Sequence, residues 1–256
     1  MKLNNTFILV NSGGLAQSSD WAEAHARIVR AITEMVWPPG NEKLRIPRIV
    51  TIKAKESYIN RRGQTVVARK PITLRNGVKP LRTLFRTIMQ SHGWSCEYAL
   101  SMAPYFEKTR LARTKLDILH YPSSKLALGL KETVGDFDFW DRTNAGFRTI
   151  IEWETGNISS SHRSLNKICL ALMGGVADAA VLIVPSWYLY PHLTDRIGNV
   201  RELEPYFYFW SQAGKLVKRG LLAVVEVEHD ELFKSTDERD FLTLGAEGNS
   251  LKLRRR

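Results

Sequence analysis

The segment 149–175, TIIEWETGNISSSHRSLNKICLALMGG, constrains the fold more than any other part of the chain. It predicts a strand, a tight turn and a helix in immediate succession. Side chains alternate along a strand, so in a strand over 149–154 Glu152 and Glu154 project to the same face and Trp153 to the other. The pattern therefore predicts two carboxylates side by side at the end of one strand.

The turn at 155–157 leads into a helix that is predicted to start at Ser159 or Ser160 and to end at Met173. Serine is a favourable N-cap, apolar side chains recur at helical spacing, and the glycine pair 174–175 ends the pattern. A helix N-terminus favours anions. The acidic pair followed by this polar helix start predicts a metal site beside a phosphate site.

Two further strands are predicted around this segment. The apolar run 178–185 predicts a buried strand that follows the helix in a βαβ crossover. The segment 135–140 predicts a strand with Asp136 and Asp138 on one face, and its short connection to 149–154 permits antiparallel pairing.

The formal net charge of +11 favours a polyanionic partner, with nucleic acid before a membrane surface. Segment 41–75 predicts a β-hairpin or meander with ten basic and two acidic residues, and 249–256 predicts a disordered basic tail. The hairpin is either a solvated surface ribbon or a basic arm that contacts phosphates.

Other features narrow the class of protein. Cys96 and Cys169 lie far apart without a CxxC pattern, which argues against a zinc ribbon or a disulfide scaffold. No run approaches the ~20 apolar residues that a membrane helix needs, so we expect a cytoplasmic protein with no membrane partner.

Acidic residues near predicted strand ends suggest the chemistry. They are Asp138, Glu152 and Glu154, with Glu97 upstream in a helix predicted over 94–102. Such oxygen ligands suit Mg²⁺, and two ions together activate water and stabilise the leaving oxygen of a phosphodiester. The arrangement resembles the PD-(D/E)xK nuclease plan, with Glu154 in place of the usual lysine. An acid there would hold or deprotonate the attacking water, whereas the alternative is a solvated strand edge.

Two motifs make the resemblance closer. EWETGNISSSHRSLNK at 152–167 and LTDRIGNVRELEPYF at 193–207 resemble, at the same separation, the BamHI-like type II restriction endonucleases. The resemblance implies an α/β fold with a mixed central β-sheet flanked by helices on both faces. It further implies one catalytic domain over 1–256, with the basic hairpin as an insertion, acting as a homodimer on a palindromic double-stranded DNA.

The resemblance also implies roles for the acids. Asp138 matches the metal-bridging aspartate, and Asp136 is its rival because the spacing to Glu152 is shorter here than in the family. Glu152 would be a metal ligand, Glu154 the general base and Glu97 an additional metal ligand. The implied cofactor is Mg²⁺, with two ions per active site.

Five positions match base-reading residues of the family: Asn157, Ser159, Arg163, Asp195 and Arg196. Arginine bonds guanine bidentately, aspartate accepts from cytosine N4, and asparagine reaches base edges. The match implies the target GGATCC, cut after the first G to leave 5′ overhangs. The alternatives are a catalytically inactive or differently specific DNA-binding protein on the same scaffold, or a protein that binds RNA or a membrane through its basic segments.

Overall fold

A six-stranded mixed sheet forms the centre of the computed structural model, which describes residues 1–114, 134–194 and 197–242. The strands of the described residues are β1 (Lys2–Ser12), β2 (Arg45–Pro47), β3 (Val50–Ile59), β4 (Thr65–Leu74), β5 (Ser95–Tyr98), β6 (Phe137–Arg142), β7 (Arg148–Trp153), β8 (Ala179–Pro185), β9 (Gly220–Glu228) and β10 (Glu231–Phe233). The helices are α1 (Ser19–Thr33), α2 (Val78–Ser91), α3 (Ala103–Thr114), α4 (Ile158–Gly174), α5 (Val200–Leu203) and α6 (Phe207–Ala213).

The strand order of the central sheet is β1-β9-β8-β7-β6-β5. β7, β8 and β9 run parallel, and the remaining neighbours pair antiparallel. Every residue of β8 is buried, as expected for a parallel strand covered on both faces. The predicted βαβ crossover through α4 and the antiparallel pairing of β6 with β7 are confirmed.

Helices cover both faces of this sheet, which confirms the predicted architecture. Ile151 on β7 packs in one hydrophobic cluster with α1 and α2, including Phe85 of α2. Ile150, the preceding residue, packs in the second cluster with α3, α4 and α6, including Leu165 of α4. The alternation of β7 thus separates the two cores. Among the described residues, no helix is long and apolar enough to cross a membrane.

The turn before α4 differs from the predicted one. Asn157, and not a serine, is the N-cap, and its side chain accepts a hydrogen bond from the Ser160 N–H at 3.2 Å. Asparagine is as good a cap as serine, so pattern alone does not choose between them. The helix ends at Gly174 and is capped by Gly175, whose φ of 69° is the left-handed conformation that glycine adopts readily.

The prediction of a helix over 94–102 is wrong. Residues 95–98 form the edge strand β5, which pairs antiparallel with β6 through Ser95↔Trp140 and Cys96↔Phe139. The sheet edge offered by β6 decides the outcome, because a four-residue segment has too little intrinsic preference to resist tertiary pairing.

Strands β3 and β4 pair with each other in an antiparallel ribbon outside the central sheet. Its base is packed, where Ile72 and Leu74 lie in one hydrophobic cluster with Phe241. The predicted tail over 249–256 and the predicted readers Asp195 and Arg196 lie outside the described residues.

Candidate active site

Glu152 is a buried carboxylate on the α4 side of β7. Its Oε1 lies 2.6 Å from Nζ of Lys167, a residue of α4, and its side chain is 8% exposed. Burial raises the pKa of Glu152 from 4.5 to about 7, although the Lys167 ammonium opposes that rise. The carboxyl group of Glu152 is costly to ionise in this position. A divalent cation, which carries more charge than the Lys167 ammonium, would stabilise the ionised form.

Glu154 follows the last residue of β7 and is also buried. Its Oε1 accepts a hydrogen bond from the Gly156 N–H at 2.5 Å. Its Oε2 is buried and makes no hydrogen bond of normal geometry within the described part of the chain. Burial raises the pKa of Glu154, and the nearby Ser161 hydroxyl of α4 opposes the rise. Both acids therefore lie on the α4 side, as strand alternation predicts.

Asp138 joins the two glutamates from the adjacent strand. The β6–β7 register pairs Phe139 with Ile151, and its continuation by one residue sets Asp138 opposite Glu152. Oδ2 of Asp138 accepts a hydrogen bond at 2.9 Å from the N–H of Trp153, the residue between the two glutamates. Three carboxylates thus converge at the end of β7.

The rival Asp136 is placed differently. It precedes β6 and its side chain is exposed. Its backbone carbonyl accepts a hydrogen bond from Lys167 Nζ at 2.7 Å. The geometry therefore favours Asp138 over Asp136 as the acid that lies with Glu152.

Glu97 lies on the other side of Asp138, on β5. Its φ of 51° is left-handed, and it is the one non-glycine residue in the described ranges with a positive φ. Its half-exposed carboxylate pairs with Arg86 at 2.8 Å and lies 3.7 Å from Arg82. A non-glycine residue in this conformation is strained, and such strain is concentrated at functional sites.

Two cations occupy the spaces between these acids. Arg82 of α2 lies 2.6 Å from Asp138 Oδ1 and also faces Glu97, while Lys167 lies against Glu152. No group of three acidic, cysteine or histidine side chains in the described ranges forms a ready-made metal site. The donor set nevertheless fits a hard divalent ion: the ligands would be carboxylate oxygens, burial disfavours the Glu152 anion, and Glu154 Oε2 makes no hydrogen bond of normal geometry within the described residues.

Sequence reasoning did not assign a role to Arg82, although a signal was available. Arg82 and Arg86 stand four residues apart on α2, next to the buried Leu81 and Phe85. The sequence of α2 contains no acid to neutralise them. Two unpaired cations on one helix face predict an acidic partner elsewhere in the fold.

The predicted base readers of α4 are grouped at its N-terminus. Asn157, Ser159 and Arg163 are exposed, and the last two are four residues apart and so share a face. The Gly198 N–H donates to the Gly156 carbonyl at 3.0 Å, and Ile197 forms a β-bridge with Asn157. The segment that follows the predicted readers 195–196 is thereby fastened to the start of α4.

Comparisons with known proteins show which family the sequence resembles. The chain matches the family model described as restriction endonuclease BamHI over residues 1–249. It is 31% identical over 232 residues to the type II restriction enzyme OkrAI of Oceanobacter kriegii, covering 91% of each chain. It is 36% identical over 136 residues to the type II restriction enzyme BamHI of Bacillus amyloliquefaciens, covering 52% of this chain and 53% of the relative.

A solved structure of a further enzyme resembles the fold. The crystal structure of restriction endonuclease BglII complexed with a DNA 16-mer aligns with a TM-score of 0.51 at 9% identity. The alignment covers 96% of this chain and 89% of the other. At this level of identity the likeness concerns the fold alone.

Proposed function

The chain belongs to the BamHI restriction endonuclease family, whose members are site-specific deoxyribonucleases, and we propose on that premise that it hydrolyses GGATCC duplexes with Mg²⁺. The proposed cut follows the first G and leaves 5′ overhangs. The observation that carries the proposal is the convergence of Asp138, Glu152 and Glu154 beside the exposed start of α4.

Asp138 and Glu152 would hold the divalent ions, and Glu97, which pairs with Arg86 and lies near Arg82, would be an additional ligand from β5. Two bound Mg²⁺ ions would supply Lewis-acid activation of water and stabilisation of the leaving oxygen. Lys167 keeps the Glu152 carboxylate oriented and partly neutralised before the ions arrive.

Glu154 is the proposed general base. Burial raises the pKa of the Glu154 carboxyl, so the carboxylate binds a proton more readily than an exposed glutamate does. A general base is most effective when its pKa lies near the working pH. The Gly156 N–H orients one oxygen, which leaves Oε2 to accept the proton of the attacking water. This assignment explains how an acid serves where related nucleases carry lysine.

Target recognition is proposed to come from the start of α4 and from residues 195–196. Arg163, Ser159 and Asn157 present donors and acceptors of the kinds that read base edges in the major groove. Asp195 and Arg196 are proposed to read the outer G·C pair, and the β-bridge of Ile197 to Asn157 supports their placement in the same groove.

A homodimer is proposed because a palindromic site is matched by two-fold protein symmetry. Exposed aromatic side chains support a subunit interface near α6, where Tyr208 is 76% and Phe209 is 68% exposed. Large exposed apolar groups of this kind mark contact surfaces.

The test is cleavage of a plasmid that contains one GGATCC site by the purified protein, with Mg²⁺ and with EDTA. We expect cutting only with Mg²⁺, and run-off sequencing of the ends should place the break after the first G. An intact plasmid, or cuts elsewhere, would refute the proposed target. Binding of the duplex without cutting under any divalent ion would favour the silent DNA-binding alternative.

A further inference from the structure

The ribbon formed by β3 and β4 is long and largely uncovered. Each strand has ten residues, and at about 3.3 Å per residue the ribbon extends about 30 Å. Beyond its packed base two large apolar side chains face solvent, since Ile59 is 73% and Val67 is 63% exposed. A two-stranded ribbon without a covering layer is marginally stable on its own. The exposed part of the arm therefore adds no buried apolar surface through Ile59 or Val67.

The ribbon carries a concentrated positive charge. Residues 53–71 contain six lysines and arginines and one acid. Lys55 lies directly opposite Arg69 in the β3–β4 register, and Lys53 shares their face. Like charges directly opposite each other destabilise a strand pair. These three exposed cations form what we call the basic face.

The tip of the ribbon adds two more cations. Arg61 and Arg62 are exposed in the turn, and the Asn60 side chain accepts hydrogen bonds from the N–H groups of Arg62 and Gln64 at 2.9 and 3.0 Å. This side chain fixes the turn, so the two arginines are presented at a defined end of the arm.

The base of the ribbon is fastened by hydrogen bonds to the segment 192–194. Ile49 N–H donates to His192 Nδ1 at 3.2 Å, and Thr194 N–H donates to the Asn76 carbonyl at 2.6 Å. Thr194 immediately precedes the predicted readers 195–196. On the other side, α2 begins at Val78 and carries Arg82 to the acids. The arm therefore starts between Thr194 and the helix that carries Arg82 to the acidic cluster.

We propose that the basic face and the tip of the β3–β4 ribbon bind the phosphate backbone of duplex DNA that flanks the target. The proposal rests on the proposed function, because it takes the DNA held at the acidic cluster as its substrate. An arm of about 30 Å is longer than a six-base-pair target of about 20 Å, and its cations match a surface with one negative charge per about 1.7 Å. The contact adds affinity and footprint without reading sequence.

The experiment compares the intact protein with Lys53→Gln/Lys55→Gln. Binding is measured by fluorescence anisotropy in EDTA on two duplexes with a central GGATCC, of about 12 and about 30 base pairs, over a range of salt concentrations. We expect the intact protein to bind the longer duplex more tightly and with a steeper salt dependence. The double variant should lose this advantage, and its log–log salt slope on the longer duplex should be shallower by about 1.8.

Two matched variants control for charge and for position. Lys53→Arg/Lys55→Arg keeps the charges of the arm and should behave as the intact protein. Arg142→Gln/Lys218→Gln removes two exposed cations at the end of the sheet opposite Glu154 and should leave the length effect unchanged.

Equal slopes for the intact protein and Lys53→Gln/Lys55→Gln on the longer duplex would overturn the ribbon proposal alone. Ribbon-dependent binding that is stronger to duplex RNA or to anionic phosphatidylserine vesicles than to DNA would also overturn it. Failure of the intact protein to bind or cut any GGATCC duplex would instead refute the proposed function.

Discussion

Glu152→Gln should change how the free energy of unfolding depends on pH. The pKa of Glu152 rises from 4.5 to about 7 on folding, chiefly through burial. A carboxyl whose pKa is raised in the folded state stabilises the fold while protonated, and that stability is lost as pH rises through the folded pKa. The native protein should therefore lose stability relative to the variant as pH rises through about 7.

The size of the effect follows from the same shift. Each pKa unit is worth about 1.4 kcal/mol, so the difference between 4.5 and about 7 corresponds to about 3 kcal/mol. Most of it, about 2 to 3 kcal/mol, falls between about pH 5 and about pH 8. Any constant cost of leaving Lys167 without its carboxylate cancels when the two proteins are compared at both pH values.

Urea unfolding of both proteins at the two pH values, without divalent ions, measures this change. Glu204→Gln, which removes an exposed acid, is the control for the loss of one negative charge. At the higher pH, Mg²⁺ should stabilise the native protein and not Glu152→Gln, because binding to the folded state alone raises its stability. A stability difference between the native protein and Glu152→Gln that is the same at both pH values would refute the argument.

Four further results are expected. Glu154→Ala should lower the single-turnover cleavage rate by about 100-fold or more while GGATCC binding in Ca²⁺ persists; full activity would refute the role of the acid as base. The Arg82→Met variant should bind Mn²⁺ about tenfold more tightly than the native protein, as measured by EPR, because the Arg82 guanidinium lies 2.6 Å from Asp138 and competes with the ion for the same oxygen. An unchanged Mn²⁺ affinity would contradict this. Asn157→Ala should cost about 1 kcal/mol of unfolding free energy, whereas Asn157→Asp keeps the helix cap; both should lose target discrimination in competition binding, and retained discrimination would exclude a reading role. Phe209→Glu should yield monomers in sedimentation, since that ring is 68% exposed at the proposed interface; an unchanged dimer would move the interface elsewhere.

Much of the fold and part of the site follow from local patterns. The apolar run of β8 and the helical spacing of α4 are intrinsic to short segments, and they predicted the crossover that the structure contains. The placement of Glu152 and Glu154 on one side depends only on strand alternation, which has a period of two residues.

Contacts between segments that are distant in the chain could not be predicted from local sequence patterns. The edge strand that carries Glu97 forms because β6 offers it an unpaired edge, and the local sequence suggested a helix instead. The choice of Asp138 over Asp136 depends on the β6–β7 register, which sets Asp138 opposite Glu152, whereas Asp136 precedes β6. Sequence spacing to Glu152 left both aspartates open.

The sequence by itself determined the strand–turn–helix unit, its paired acids and its family, because these reside in residues near one another in the chain. Only the tertiary structure brought Arg82 to Asp138 and joined the base of the basic ribbon to Thr194. The physical reason is that strand order and register determine which charged side chains from distant segments come into contact. Burial then sets the free-energy cost of ionising each of them.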